Sequence, residues 1–241
     1  MKKIIFTLFA AATFFAANAQ TAKTMYVMRD NAIVGQYVVS EIDSIIFYAP
    51  SIDPLTYDEG VVINGVKWAT RNVDKPGTFA ATPEAAGMFY QWNRKIGWSA
   101  TDPMINSNGD TTWDSSVPIG DSWENFNDPS PVGWRVPTFD EIQKLCDSYN
   151  VISQMVTQNG VIGIRFTDND TGKSLFLPVV GYRNFIYGSL NGIGTDNIGS
   201  LYWSSTASHA SGAYDIGISN SAYYSASYRV FGYSIRPVAE E

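Results

Sequence analysis

One histidine and one cysteine occur in the 241 residues, and these two counts bound the chemistry first. Cys146 alone can close no intramolecular disulfide and build no Cys-rich zinc site. It falls on the apolar stripe of a predicted helix, which makes it a packed thiol and not a reactive one. His209 stands beside Ser208, Ala210 and Ser211. A Ser-His-Asp triad would have to use this single ring, a multi-histidine metal site is impossible, and the ring reads as a bystander. Oxygen ligands and aromatic rings remain. Asp121, Glu124, Asn125, Asn127 and Asp128 gather beside Trp123, and oxygen donors of this type suit calcium. The same residues are ordinary solvated turn formers, so they are read as a metal candidate only, and no cofactor is expected. Trp98, Trp113, Tyr187, Tyr223 and Tyr224 lie in predicted loops or at strand ends. Such rings suit sugar faces and protein hot spots, because one rigid ring buries much area at little entropic cost.

The elements that must position these groups are mostly strands. Met25–Met28 and Ile33–Val39 are apolar runs around a turn at Arg29-Asp30-Asn31, with Ser44–Tyr48 as a further strand. Pro50, Pro54 and Asp58-Glu59-Gly60 then form a linker, which places a boundary near residue 55. Val61–Ile63 and Val66–Trp68 flank Asn64-Gly65, the strongest signal for a type I′ hairpin turn. Gly87–Trp92 is a short aromatic strand. Residues 93–131 lack a sustained period but carry Trp98, Trp113 and Trp123, which need something to pack on, so an ordered functional loop is expected there. Thr138-Phe139-Asp140-Glu141 is a capping box. Ile142, Leu145, Cys146 and Tyr149 follow it at helical spacing as one buried stripe. Asp168–Gly172 has the opening spacing of a calcium loop, but Val179 stands where a bidentate Glu is required, so a hairpin between Val161–Phe166 and Leu175–Val180 is predicted. Strands then follow at 201–206, 213–219, 222–228 and 233–238, and Tyr214, Ile216 and Ile218 alternate with small or polar residues.

The ends and the charge narrow the setting. Lys2 and Lys3 precede an apolar run from Ile4 to Ala16, and Ala17-Asn18-Ala19 is a cleavage-like signature, so residues 1–19 read as a signal peptide. The run is too short for a membrane span, no cysteine follows it to carry a lipid, and no later segment is apolar enough to span. The net charge is −7, and cleavage would remove two of the positive charges and leave −9. An acidic surface repels phosphate backbones, so nucleic acid is a poor partner, and glycans or proteins remain.

Several phrases resemble one family. They are Asn64–Asn72, Phe89–Trp92, Pro131-Val132-Gly133-Trp134-Arg135-Val136-Pro137-Thr138, Tyr202-Trp203-Ser204-Ser205-Thr206 and Gly232–Val238. Their order is similar to the Fibrobacter succinogenes major paralogous domain, a family of exported bacterial proteins, over roughly residues 60–239. The Gly-Trp-Arg-x-Pro-Thr element with a late Trp-Ser-Ser strand also resembles the formylglycine-generating-enzyme branch of the C-type-lectin-like fold. That resemblance implies a β-rich α+β domain: a small antiparallel sheet, one or two helices and long ordered loops. Relatives that oxidise cysteine use a pair of active-site cysteines, and this chain has one, so that activity does not carry over. Residues 25–48 resemble a β segment near the N-terminus of Bacteroidetes-type exported proteins. Arg71, Arg135 and Arg236 are candidates for guanidinium groups bonding loop carbonyls.

The expected organisation is therefore a signal peptide over 1–19, an N-terminal β segment and linker over 20–55, and a lectin-like domain over 56–241. The first functional expectation is a secreted or cell-surface recognition and adhesion module that binds a glycan or protein and is not an enzyme. A structural subunit of a surface assembly is the alternative, through pairing of residues 25–48 with a partner's sheet edge. A hydrolase using Asp121, Glu124 or Asp128 stands third.

Overall fold

The computed structural model describes residues 23–29, 32–41, 53–192 and 199–240. The predicted signal peptide, residues 30 and 31 of the predicted turn and the predicted strand at 44–48 lie outside them. The chain divides into two compact units, Met1–Ser51 and Ile52–Glu241.

The described part of the first unit is an antiparallel hairpin, Thr24–Arg29 against Ala32–Val38, with a register shift after Val27. Tyr26, Ile33, Val34 and Tyr37 all expose much of their apolar surface.

The described residues of the second unit are β-rich, with one α-helix and several small antiparallel sheets. The central piece is the three-stranded sheet of Ser200–His209, Gly212–Ile218 and Ala222–Tyr228. A five-stranded sheet orders Leu190–Asn191, Tyr182–Arg183, Gly232–Tyr233, Phe89–Gln91 and Gly97–Trp98. A four-stranded sheet orders Val61–Ile63, Val66–Trp68, Val238–Ala239 and Trp134–Arg135, so the predicted hairpin meets the C-terminal strand. Asn64 and Gly65 both take positive φ, at 46° and 79°, as a type I′ turn requires. A third antiparallel set, Val151–Gln158, Val161–Asp168 and Ser174–Pro178, contains the hairpin predicted around 168–172.

Strand alternation splits the core in two. Along Ser200–His209, Tyr202 points into one cluster with Trp68, Phe166, Leu177 and Ile216. Its neighbours Leu201 and Trp203 point into the other, with Trp92, Trp123, Val136, Tyr233 and Ile235. Apolar side chains thus cover both faces of the sheet. Burial of this kind, at roughly 25 cal/mol per Å² of apolar surface, is the main stabilising force.

The helix spans Phe139–Leu145, shorter than the apolar stripe implied. Thr138 Oγ1 accepts from the Glu141 N–H while the Glu141 carboxylate accepts from the Thr138 N–H, which completes the capping box. Ile142 and Leu145 enter the first core cluster, and Cys146 packs against it as the C-cap. Burial pushes the Cys146 thiol up to about 12, away from thiolate chemistry. Tyr149 departs from the expectation and is 91% exposed. The Asp147 carboxylate accepts from Tyr149 N–H and Asn150 Nδ2, and this local turn ends the helix before the aromatic ring can reach the stripe. Thr138→Ala is expected to lower stability by about 1 kcal/mol through the lost cap. A chemical-denaturation midpoint that drops at unchanged slope would register it.

Candidate functional site

The predicted binding rings do not form one surface. Trp98 and Trp113 are interior, at 2% and 9% exposure, with ring centroids 5.0 Å apart. Trp113 Nε1 donates to Phe185 O, and its ring lies so close to Gly188 and Gly232 that a Cβ at either would fall within 2.9 Å of it. The sequence offers these two tryptophans as candidates for an exposed binding surface, and both are buried. They instead serve as pillars beneath the loop, because an indole in a polar segment gains more from a glycine-floored slot than from water. Tyr187 is 78% exposed, in a turn held by Gly188 N–H to Asn184 O. Tyr223 and Tyr224 are both exposed but occupy adjacent positions of one strand, so they project from opposite faces. Tyr224 lies edge-on to Phe139, which in turn stacks on Tyr214 at 4.0 Å.

What residues 93–131 do build is a pair of adjoining clefts. The smaller, about 280 Å³, is lined by Gln91, Arg94, Asp110, Thr112 and Asp114, with Trp98 beneath. The larger, about 650 Å³, is bordered by Asp74, Lys75, Met88, Thr101 and Asn108. Asn106 contributes to both. Hydrogen bonds fix the walls. Gln91 Nε2 donates to Asp114 O and Val230 O, while Arg94 donates to Gln91 Oε1, the Asp114 carboxylate and Ser116. Asn106 Oδ1 accepts from the N–H groups of Asn108 and Asp110, and its amide donates to the Asp110 carboxylate. Partial burial opposes ionisation of Asp114. The Ser116 backbone N–H and hydroxyl, with the Arg94 guanidinium, outweigh it and hold the carboxyl below the usual range. The smaller cleft therefore offers a fixed mixture of carboxylate, guanidinium, amide and hydroxyl groups. That arrangement can grip a polyhydroxylated or zwitterionic ligand, and it holds Asp114 in the charged form opposite to that of a general acid.

Two buried arginines keep this region in place. Arg183 donates from Nε to Ser99 O, from Nη1 to Asp102 Oδ1 and Gly188 O, and from Nη2 to Thr101 O. Arg229 donates to Gly212 O, Pro118 O, Gly120 O and His209 O, with its guanidinium 4.1 Å from the centre of the Trp92 ring. Neither arginine was singled out from the sequence, since most of their partners lie 81 to 111 positions away and no local pattern marks them. Of the arginines that were singled out, Arg71 donates to the carbonyls of Pro54, Tyr57 and Ala80, and Arg236 to those of Ala69, Thr70 and Phe176. Arg135 makes its principal bond to a side chain, a bidentate pair with Glu141.

The carboxylates weighed for calcium or hydrolysis are placed otherwise. Among the described residues, no three His, Cys, Asp or Glu side chains gather where a metal ion could be held. Asp128 accepts from the N–H groups of Ser130 and Val136, and so pins its loop. Asp121 lies near Arg229, and Glu124 lies near Gly120, both on the surface.

A different carboxyl stands out. Asp215 is fully buried on the second-core face of the central sheet; Ser225 Oγ donates to its Oδ1, while its Oδ2 has no partner. Burial raises its pKa to about 6, against a partial lowering by Ser225 and Ser227.

Among the described residues no helix is long and apolar enough to cross a membrane. Comparison of the chain with family profiles, with curated proteins and with solved structures found no match.

Proposed function

We propose that this chain is an exported, non-catalytic recognition module of the Fibrobacter succinogenes major paralogous domain family, with a C-type-lectin-like domain over 56–241 that captures a glycan or protein outside the cell. One observation carries the reading: residues 93–131, without a regular secondary-structure period, present a polar cleft whose walls are already hydrogen-bonded. A site formed before its ligand arrives avoids the ordering cost of binding, which is the economy a recognition module needs. The order of phrases from Asn64 to Val238 supports the family, and the small antiparallel sheets with one helix and long fixed loops suit the fold.

A glycan and protein array probed with the mature chain, with and without calcium, tests the proposal. Asp110→Ala removes a carboxylate from the cleft wall and is expected to weaken capture roughly 10- to 100-fold, the loss of one charge-assisted hydrogen bond. Tyr149→Ala, on a remote exposed ring, should leave capture unchanged. Capture that is indifferent to Asp110→Ala would sink the site, and an array blank under all conditions would sink the function.

The hairpin Thr24–Val38 favours a second reading, a structural subunit of a surface assembly. Its exposed Tyr26, Ile33, Val34 and Tyr37 leave apolar surface on a two-stranded sheet, which is marginal by itself in water. Oligomers that vanish on deletion of residues 20–50 would support that alternative.

A further inference from the structure

The central sheet has two unlike edges. Along Ser200–His209 the outer backbone is occupied: Trp123 N–H donates to Ser205 O, Ser205 N–H to Pro137 O, and Trp203 N–H to Ser234 O. On the opposite side Ala222–Tyr228 is, among the described residues, the last strand. Its pairing with Gly212–Ile218 shows which backbone groups face outward. Ser219 N–H to Ser221 O and Arg229 N–H to Ser211 O close the ladder at its ends, in the same register that sets Asp215 opposite Ser225. Hydrogen-bonded and non-hydrogen-bonded pairs alternate in an antiparallel ladder. The odd-numbered residues of this strand therefore bond inward, and Ala222, Tyr224 and Ala226 turn N–H and C=O toward the open edge. Natural edges of this kind are guarded by lysine, proline or a bulge. Residues 222–228 contain no charge and no proline, and their register runs without a shift.

We propose that two copies of this chain associate by antiparallel pairing of Ala222–Tyr228 with itself, about a two-fold axis through Ser225, joining two three-stranded sheets into one of six. An isologous contact requires a surface complementary to itself. About Ser225 the pairing sets Ala222 against Tyr228, Tyr223 against Ser227 and Tyr224 against Ala226, so every tyrosine of one copy meets a small residue of the other. The outward groups match as well: the pairs Tyr224–Ala226 and Ala222–Tyr228 join even-numbered residues only, the Tyr228 carbonyl accepting in addition from Phe231 N–H. Charge points the same way. Two chains of net charge −7 repel, and an uncharged strand lets their backbones meet with no like charges opposed across the seam. A foreign extended peptide could also bond this edge, but nothing would match its side chains to the alternation of large and small.

Sedimentation of the full chain over a concentration series tests the pairing, with a monomer–dimer equilibrium expected. Ala226→Pro removes one outward N–H and none that bonds inward, so the dimer should be lost while the far-UV circular dichroism is retained. Ala226→Lys sets two like charges at the seam and should raise the dissociation constant at least about tenfold; it decides the matter if the proline variant fails to fold. Ser153→Lys, an equal charge change on the edge strand Val151–Gln158, should leave the dimer intact. Under oxidant Ser225→Cys should crosslink to itself, its copies being directly opposed, whereas Ser227→Cys, with copies about 13 Å apart, should not. A chain that stays monomeric to about 1 mM, the weak end of specific association, overturns the proposal. So does a dimer that survives in a folded Ala226→Pro variant, keeps its dissociation constant with Ala226→Lys, dissolves with Ser153→Lys, or crosslinks through Ser227→Cys and not Ser225→Cys.

Discussion

Arg229→Met is expected to destabilise the protein by about 4 kcal/mol, even though it replaces a buried charge with a side chain of similar length. The guanidinium serves four backbone carbonyls, on Gly212, Pro118, Gly120 and His209, and its residue is 2% exposed. Each buried acceptor left without a donor costs about 1–3 kcal/mol. The contact with the Trp92 ring adds about 1 kcal/mol. Relief of the desolvation penalty offsets several kcal/mol of this, because a buried cation is costly to hold. Burial indeed lowers the pKa of Arg229, with Asp121 nearby acting in the opposite direction. Arg229→Lys should recover little, since one ammonium cannot span four carbonyls on different segments. Denaturant titration measures the loss, and amide exchange at Ile119 and Gly120 should show their loop opening far more readily than the sheets. A variant as stable as the parent would mean that the loop holds itself without this arginine.

The second large effect is a dependence on pH set by Asp215. Its carboxyl is raised to about 6 when folded, against an ordinary value of 3.8, so between those values the folded chain holds a proton that the unfolded chain has released. The sign follows from linkage. The stabilising contribution is complete below about pH 3.8, declines as pH rises through about 6, and is absent above it. The gap amounts to about 3 kcal/mol. Glu141 acts in the opposite direction: burial disfavours its charge, yet Arg135 and Thr138 hold its carboxyl below the ordinary range, so its contribution falls away in acid. The informative measurement is therefore the difference between the parent and Asp215→Asn profiles from pH 3 to pH 7, where about 3 kcal/mol of relative change is expected. Parallel profiles would mean that the carboxyl is solvated or paired in solution.

Legibility in the sequence followed the range of the interaction. The Thr138–Glu141 cap and the Asn64-Gly65 turn are local devices, and each forms where its residues announce it. Three of the four strands expected in the C-terminal third also stand close to their expected positions, since alternation records which side chains face a core, whereas the fourth, at 233–238, is split into Gly232–Tyr233 and Val238–Ala239 in two different sheets. Tyr149 was misplaced because a side-chain turn at Asp147, not the apolar period, decides where the helix stops. Trp98 and Trp113 were misplaced for a different reason. A tryptophan in a polar loop carries no sign of which way it points, and the slots that receive Trp113 come from Gly188 and Gly232, far along the chain. The cleft was legible as a region, in residues 93–131, and illegible as a set of groups. Gln91, Arg94, Asp110 and Asp114 come together only in the folded chain, beside loops that Arg183 and Arg229 tie down.

A guanidinium that grips carbonyl oxygens reads the course of a chain and not its spelling. Pro118, Gly120, Thr101 and Gly188 are all held through groups that every amino acid possesses. Side chains at the rim can therefore be exchanged while the anchoring persists, provided each replacement follows the same path. The architecture is suited to diversification: one frame, many possible faces, with novelty confined to positions whose change leaves the clamps undisturbed.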